Sequence, residues 1–351
     1  MKLSSIINDF EKRVRHVQLN YRDYKLIHQL HLPALTRKEI EEIKEMWPCF
    51  KFRDLDLGWS CVYKMKKGFS PYFLNDVQYI QLLEHIAPYK QVISLQNKAM
   101  CDVYFPEIPY PKVFVRSLNG ILYDRNMQPL LLEDACDILM QQTSFIIKPS
   151  VESMCGSGVQ LIVTKEKTIE DITMVIKAAG GNFIAQEVIN QHPDIQKLNE
   201  TSLNCCRVTT LYINGKFDYS TILKFGKKGS HIDNWNSGYL CGVTKDGIIQ
   251  DTAYDVNLVE AKQTDGGLVF GGMEYPNFDK MIAKLERSHK KYFANCGIVG
   301  WDVVIDADGE VKVIEANLWF TGIQAEQLCG DLFFENYRDD ICKIMADEEN
   351  K

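Results

Sequence analysis

The chain lacks most of the devices that would place it quickly. Its 11 cysteines include no C-x-x-C pair, so neither a zinc ribbon nor a thiol–disulfide motif has support. No G-x-S-x-G elbow, H-E-x-x-H pair, G-x-G-x-x-G fingerprint or Walker A loop occurs. Hydrolase triads, zincin chemistry, nicotinamide chemistry and the P-loop arrangement therefore drop out. No uncharged apolar run approaches the length of a membrane span, and residues 1–16 lack the continuous apolar stretch of a signal peptide. We expect a cytoplasmic protein. A basic excess is missing as well. The net charge of −7 argues against a broad nucleic-acid or anionic-membrane surface. The cysteine count is odd and the residues are scattered, with Cys205 and Cys206 adjacent on an expected strand where neighbours point to opposite faces. These read as reduced packing residues, not a disulfide framework.

What is present is ordinary in bulk and specific in detail. Hydrophobic residues make up 46% and charged residues 25%, the balance of a globular chain. A length of 351 residues suits two or three subdomains. The first part carries helix signals. Thr36 and Glu39 form a capping box before Ile40, Ile43 and Trp47, and a second helix fits residues 76–87. Residues 50–73, aromatic and dense in lysine and glycine, suit a short strand or loop. From about residue 96 the chain alternates strands (144–150, 158–163, 183–189) with helices (133–142, 168–179). The remainder reads as mostly antiparallel sheet, with hairpin turns at Asn214-Gly215 and Asp246-Gly247 and a helix over 278–295.

Residues 298–320, IVGWDVVIDADGEVKVIEANLWF, are the most informative stretch. A hairpin turns at Asp306-Ala307-Asp308-Gly309. If Asp306 pairs with Gly309, Asp302 faces Val313 and lies diagonal to Glu315. Asp302, Glu315 and Asn317 then share one face, a hard oxygen set for one or two cations. Apolar neighbours on both faces imply a covered sheet, where buried carboxylates need a metal or a cation beside them. The plainer alternative is a solvated face with incidental acids, and a single bulge would separate the three groups.

Lys148 ends an apolar strand and runs into Pro149 and a small-residue loop, Ser150 to Gly158, which holds Gly156 and Ser157. A lysine and clustered backbone N–H groups there suit a polyphosphate, although an ordinary hairpin with an edge lysine reads equally well. Arg207 and Lys224 are isolated cations in apolar strands. A guanidinium so placed wants a carboxylate or a phosphate. His192, before Pro193, fits a loop residue held by local hydrogen bonds. His231, Asp233 and Asn234 lie in a glycine-flanked loop, a better place for substrate contact.

The order of these parts resembles the ATP-grasp superfamily: Lys98, then IIKPS with its glycine loop, IAQEVI, a strand arginine, Asp302, and Glu315-x-Asn317. Gln191-His192-Pro193, residues 202–209 (SLNCCRVT), Ile232-Asp233-Asn234 and Val299-Gly300-Trp301-Asp302 are similar to the sugar-transfer-associated ATP-grasp proteins of bacterial capsule and exopolysaccharide clusters. The resemblance spans about residues 70–335. It departs after Asn317, where Leu318-Trp319-Phe320 stands in place of the usual proline.

The resemblance implies an α+β, ATP-grasp fold: two α+β lobes gripping ATP behind a smaller, mostly helical N-terminal region. The implied divisions are 1–95, a lid lobe over 96–190 and a metal-binding lobe over 191–351. Lys98 and Lys148 would contact the ATP phosphates, and Ser150, Gly156, Ser157 and Gly158 would cover them. Glu187 and Val188 would hold adenine. Arg207 would stabilise the transferring phosphoryl group, with Lys224 as a second catalytic cation. Asp302, Glu315 and Asn317 would hold two magnesium ions, and His231, Asp233 and Asn234 would meet the substrate. The activity implied is an ATP-dependent carboxylate–amine ligase working through an acylphosphate, joining an amino acid or amine to an acidic sugar. A sugar or small-molecule kinase and a non-catalytic nucleotide-binding module are the rivals. A homodimer is compatible with all three.

Overall fold

The computed structural model describes residues 28–52, 56–151, 158–230, 235–319, 321–330 and 334–346, together with residues 18, 21 and 25. Helix α1 (Arg37–Met46) starts on the Thr36–Glu39 capping box, with both reciprocal bonds made. Its Ile43 and the following Trp47 are buried. Residues 50–73 depart from the expected strand or loop: helix α2 (Gly58–Lys67) forms there. Trp59, Val62 and Tyr63 give it one apolar face at i, i+3 and i+4, and that burial outweighs the segment's weak helix propensity. Helix α3 (Asp76–Ile86) follows within a residue of expectation.

The first sheet has six strands in the order β3-β2-β1-β6-β4-β5. Its strands are β1 (Val113–Leu118), β2 (Ile121–Asp124), β3 (Pro129–Leu130), β4 (Ser144–Pro149), β5 (Gln160–Val163) and β6 (Phe183–Gln186). The first three were not expected, and β6 stops three residues short of its expected end. Helices α4 (Leu132–Met140) and α5 (Ile169–Ala179) cover one face. Ala135, Cys136, Leu139, Ile172 and Ile176 pack there on Phe145, Ile147 and Phe183. The opposite face presents Lys148, Ile184 and Gln186 to a cleft.

The second sheet has seven strands in the order β11-β10-β9-β8-β7-β12-β13. They are β7 (Cys206–Ile213), β8 (Lys216–Gly226), β9 (Gly238–Val243), β10 (Ile249–Tyr254), β11 (Glu260–Ala261), β12 (Ile298–Ile305) and β13 (Val311–Asn317). Asn214 and Gly215 both take positive φ (51° and 77°), the two-residue turn whose twist suits a hairpin. Helix α6 (Phe278–Tyr292) lays Phe278, Met281, Ile282, Leu285 and His289 into the main core. Helices α7 (Gln324–Cys329) and α8 (Arg338–Ala346) close the chain. α7 sits tightly on the sheet at Gly242, where a side chain would run into the Cys329 carbonyl.

The ten described cysteines are free thiols, eight of them buried. Burial pushes the Cys101, Cys241 and Cys296 thiols up to about 12, as inert packing groups require. No described helix is long and apolar enough to cross a membrane.

His289 is wholly buried and bonds through both ring nitrogens, Nδ1 to the Thr210 hydroxyl and Nε2 to the Cys296 carbonyl, each at 2.7 Å. Since a carbonyl only accepts, Nε2 carries the proton. Burial lowers the imidazole from 6.5 to about 4. Between those values the unfolded chain binds the extra proton and the folded chain does not, so stability should fall as pH drops from 6.5 towards 4. Urea unfolding should show a shallower acid decline in His289→Gln, despite its lower stability at pH 7. Equal slopes would remove His289 as the cause.

Candidate active site

The hairpin β12–β13 positions the acids, but not in the expected register. The turn closes one residue later, with Asp306 bonded to Glu310 and Ile305 opposite Val311. Carried on regularly, that register would set Asp302 opposite Ile314, on the wrong face. A bulge between Asp302 and Val303 leaves Ile314 as an extra residue, and Asp302 falls directly opposite Glu315. The expected pairing of Asp302 with Val313 is therefore corrected, and the bulge unites the three groups where it was expected to divide them. Glu315 and Asn317, two residues apart, share that face.

Asp302 is 8% exposed, and two cations satisfy it. Arg207 pairs with it in bidentate fashion, Nε to Oδ1 at 2.9 Å and Nη2 to Oδ2 at 3.0 Å, while Lys224 Nζ reaches Oδ1 at 2.8 Å. Burial alone would push this carboxyl up. The Arg207 and Lys224 charges outweigh it and hold Asp302 well below the usual carboxylate range. Of the two partners open to Arg207, the structure holds the carboxylate. The third end of its fork donates to the Thr321 carbonyl at 2.7 Å.

Across the cleft, Lys98 Nζ lies 3.3 Å from Glu315 Oε1. The Lys98 backbone N–H donates to the Ser150 carbonyl, which ties this lysine to the end of β4. Lys148 does not stand on an edge, since β4 lies between β6 and β5. Burial first, then repulsion from Lys98, lowers its ammonium to about 8. Nearby Ser150 is 1% exposed, and its Oγ meets no hydrogen-bond partner among the described residues. A buried hydroxyl at a strand end beside a lysine fits an oxygen-rich ligand such as a phosphate.

Four cations thus gather around two carboxylates, an excess of two positive charges in a chain of net charge −7. Glu326 adds a third carboxyl beside Arg207. It is fully buried, its Oε1 accepts from the Thr209 hydroxyl at 2.6 Å, and burial pushes it up towards its neutral form. The local sequence around Glu326 gave no sign of this placement. The same holds for Arg116, wholly buried in β1 and bidentate to Asp102 at the cleft.

The oxygen set fits a hard cation. A carboxylate offers about four lone-pair sites, and three on Asp302 are taken, two on Oδ1 and one on Oδ2. Oδ2 keeps one. Asn317 donates through Nδ2 to the Gly300 carbonyl at 3.2 Å, which leaves its amide oxygen as the ligating atom.

The other expected residues divide in two. Glu187 ties the segment between the sheets to β13: its carboxylate accepts from the Lys112 N–H and from Lys312 Nζ, each at 2.9 Å. Its own N–H is spent on the Lys112 carbonyl, and Val188 beside it is half-buried. Gly158 takes φ +74°, with Pro149 where a side chain would go. Gly156, Ser157, His231, Asp233 and Asn234 lie outside the described residues. His192 is a loop residue, its Nδ1 accepting from the Asp194 N–H.

Lys148 supplies a pH signature. A lysine near 8 is charged at pH 7 and neutral at pH 9, so phosphate affinity should fall as pH rises through about 8. Bound phosphate favours the ammonium, so ATP should bind with proton uptake above that point. Calorimetry in buffers of different ionisation heat reads this directly. Lys148→Arg should flatten the profile, and Lys148→Ala should weaken ATP binding at pH 7 by roughly the 1.5–3 kcal/mol of a charged hydrogen bond. An affinity indifferent to both changes would return Lys148 to a structural role.

Residues 78–337 match a family model described as sugar-transfer associated ATP-grasp. No curated protein matches the chain. Among solved structures, it is similar to a D-alanyl-alanine synthetase A from Vibrio cholerae O1 biovar eltor, at 12% identity over 75% of this chain and 68% of that one, TM-score 0.45. D-cycloserine synthetase DcsG follows at 15% identity over 75% and 73%, TM-score 0.41. The biotin carboxylase domain of Hydrogenobacter thermophilus 2-oxoglutarate carboxylase, in complex with ADP and magnesium, matches at 14% identity over 73% and 46%, TM-score 0.44.

Proposed function

Because this chain belongs to the sugar-transfer associated ATP-grasp family, we propose that it is an ATP-dependent carboxylate–amine ligase working in capsule or exopolysaccharide assembly. The observation that carries the reading is the cation-rich cleft over a bulged acidic hairpin, a site built for a polyphosphate and a hard metal together. The proposed divisions are a helical region over 1–95, a lid lobe over 96–190 and a metal-binding lobe over 191–351.

In this reading Lys98 and Lys148 bind the phosphates, with the Ser150 hydroxyl as a further donor. Gly156, Ser157 and Gly158 complete the cover. Glu187, through its carbonyl, and Val188 hold adenine. Asp302, through Oδ2, with Glu315 and Asn317 would hold magnesium, which when bound neutralises charge on the transferring phosphoryl group. Arg207 and Lys224 keep Asp302 ionised and place positive charge where the phosphoryl group is transferred, and charge set in place in a water-poor cleft is what such chemistry demands. The substrate carboxylate oxygen attacks the γ-phosphorus and ADP leaves. The amine then attacks the acylphosphate carbon, phosphate leaves, and the amine proton passes to solvent. An acidic sugar is the proposed carboxylate, an amino acid or amine its partner, and His231, Asp233 and Asn234 their contacts.

The test is ADP release screened over carboxylates and amines, with hydroxylamine as a general nucleophile. ADP release that needs a carboxylate supports the reading. Release that needs only a hydroxyl compound overturns it.

A further inference from the structure

Tyr79, in α3, carries a polar group that apolar packing alone does not require. The residue is wholly buried in the main core, where a phenylalanine ring would fill the same space with no hydroxyl to satisfy. The hydroxyl reaches Thr321, itself buried, and the two side-chain oxygens share a hydrogen bond at 2.7 Å. Thr321 is also the residue whose carbonyl accepts from the Nη1 end of the Arg207 fork, again at 2.7 Å. A helix of the N-terminal region thus stands two hydrogen bonds from the guanidinium that grips Asp302.

The surrounding residues fix the same segment. Gly300 lies two residues before Asp302 in β12, and a side chain there would meet Thr321 Cβ and Cγ2 at 2.8 and 2.9 Å. Thr321 therefore rests directly against the strand that carries Asp302. A few residues on, Gln324 Nε2 donates to Asp76 of α3 at 2.6 Å, and the Gln327 side chain exchanges two bonds of 2.8 Å with the Leu74 backbone. These groups are buried, so water does not compete for their bonds. A guanidinium is planar, and one bond on each of its three nitrogens fixes both its position and its plane. Asp302 takes the bonds on Nε and Nη2, and Thr321 takes the one on Nη1.

We propose that Tyr79 is a positioning residue for Arg207. Its hydroxyl holds Thr321 so that the Thr321 carbonyl keeps the guanidinium in the plane that grips Asp302 and meets the transferring phosphoryl group. The N-terminal region then serves the centre through a side chain that acts on the arginine alone. This assignment rests on the phosphoryl-transfer role given to Arg207 above, and it holds for a carboxylate and a hydroxyl acceptor alike.

The test compares full-length chains by two readouts. The first needs no turnover: arginine labelled with ¹⁵N on its side-chain nitrogens, with the Arg207 signals identified by their loss in Arg207→Lys. Rotation that exchanges the two Nη signals of Arg207 should speed up about tenfold in Tyr79→Phe and in Thr321→Val, which removes the same bond from its other end. Thr321→Ser keeps the hydroxyl and should restore the slow rate. Arg116, held by Asp102 instead, should not change in any variant. The second readout is ADP release from magnesium–ATP. Tyr79→Phe and Thr321→Val should each lower kcat about tenfold with the KM for ATP unchanged, and the double variant should be no slower than either. In an Arg207→Lys background, which has no Nη1, Tyr79→Phe should cost nothing further. Equal losses in the arginine and lysine backgrounds would make Tyr79 a residue of stability alone and overturn the proposal, as would unmoved Arg207 signals or full turnover in Tyr79→Phe. Failure of the ligase reading looks different. Hydroxyl-dependent ADP release that still falls in Tyr79→Phe overturns the ligase and leaves the positioning, whereas hydroxamate formed at full rate by Tyr79→Phe overturns the positioning and leaves the ligase.

Discussion

Glu315→Gln is expected to leave a folded chain that binds ATP yet turns it over at least about a hundredfold more slowly. The fold should survive because Glu315 stands partly exposed and its ion pair among the described residues, to Lys98, is of the kind that contributes about 1 kcal/mol. Nucleotide affinity should survive for a stronger reason. Removing this carboxylate raises the local excess of positive charge by one and takes a negative charge from beside Lys98. Metal binding runs the other way: an anionic oxygen ligand becomes a neutral amide beside an Asp302 with a single lone-pair site to spare. The expected signature is thus an ATP dissociation constant unchanged or lower in the absence of magnesium, together with lost turnover. Near-normal turnover in a folded variant would remove Glu315 from the metal set. Lost ATP affinity without magnesium would make its role structural.

The parts of this fold that were legible are those encoded locally. The Thr36–Glu39 box, the amphipathic face of α6 and the Asn214-Gly215 turn each act within a few residues, and each forms where the sequence places it. Asn119-Gly120 carries the same two-residue signal between apolar runs, and both take positive φ in the turn from β1 to β2. That hairpin is legible by the same rule. Residues 50–73 misled because aromatic density favours strand, whereas the spacing of Trp59, Val62 and Tyr63 is helical once a partner surface exists to bury it.

The site divides in the same way. Asp302, Glu315, Asn317, Arg207 and Lys224 could be picked out because charge is rare in apolar strands. Their mutual geometry could not, since one bulge at Ile314 decides which face Asp302 takes, and no local pattern marks it. Glu326 sits in Gln324-Ala325-Glu326-Gln327, which reads as a solvated helix. Only the close seat of α7 on Gly242 buries it against Thr209 and Arg207.

Replacing Arg207 by lysine should separate the ligase from the kinase and fix what the arginine does. Alanine is the poorer probe, because stripping one partner from a buried ion pair costs about 3–5 kcal/mol and endangers the fold. Lysine keeps the charge beside Asp302 and loses the fork, including the bond that ties Thr321. If that fork sets the position of Asp302 and of charge in the transition state, kcat should fall about a hundredfold with little change in ATP affinity. Burial pushes the Asp302 carboxyl up and Arg207 leads the forces that hold it down, so a looser partner should also shift the acid limb of the rate profile to higher pH. A role confined to stability would leave that limb where it stands. With hydroxylamine present, a ligase releases ADP and hydroxamate together, because an acylphosphate is an electrophile, and Arg207→Lys should slow both by the same factor. A phosphate ester resists hydroxylamine. ADP accompanied by a stable phosphorylated sugar and no hydroxamate would therefore assign the cleft to a kinase, with a hydroxyl where the carboxylate was placed.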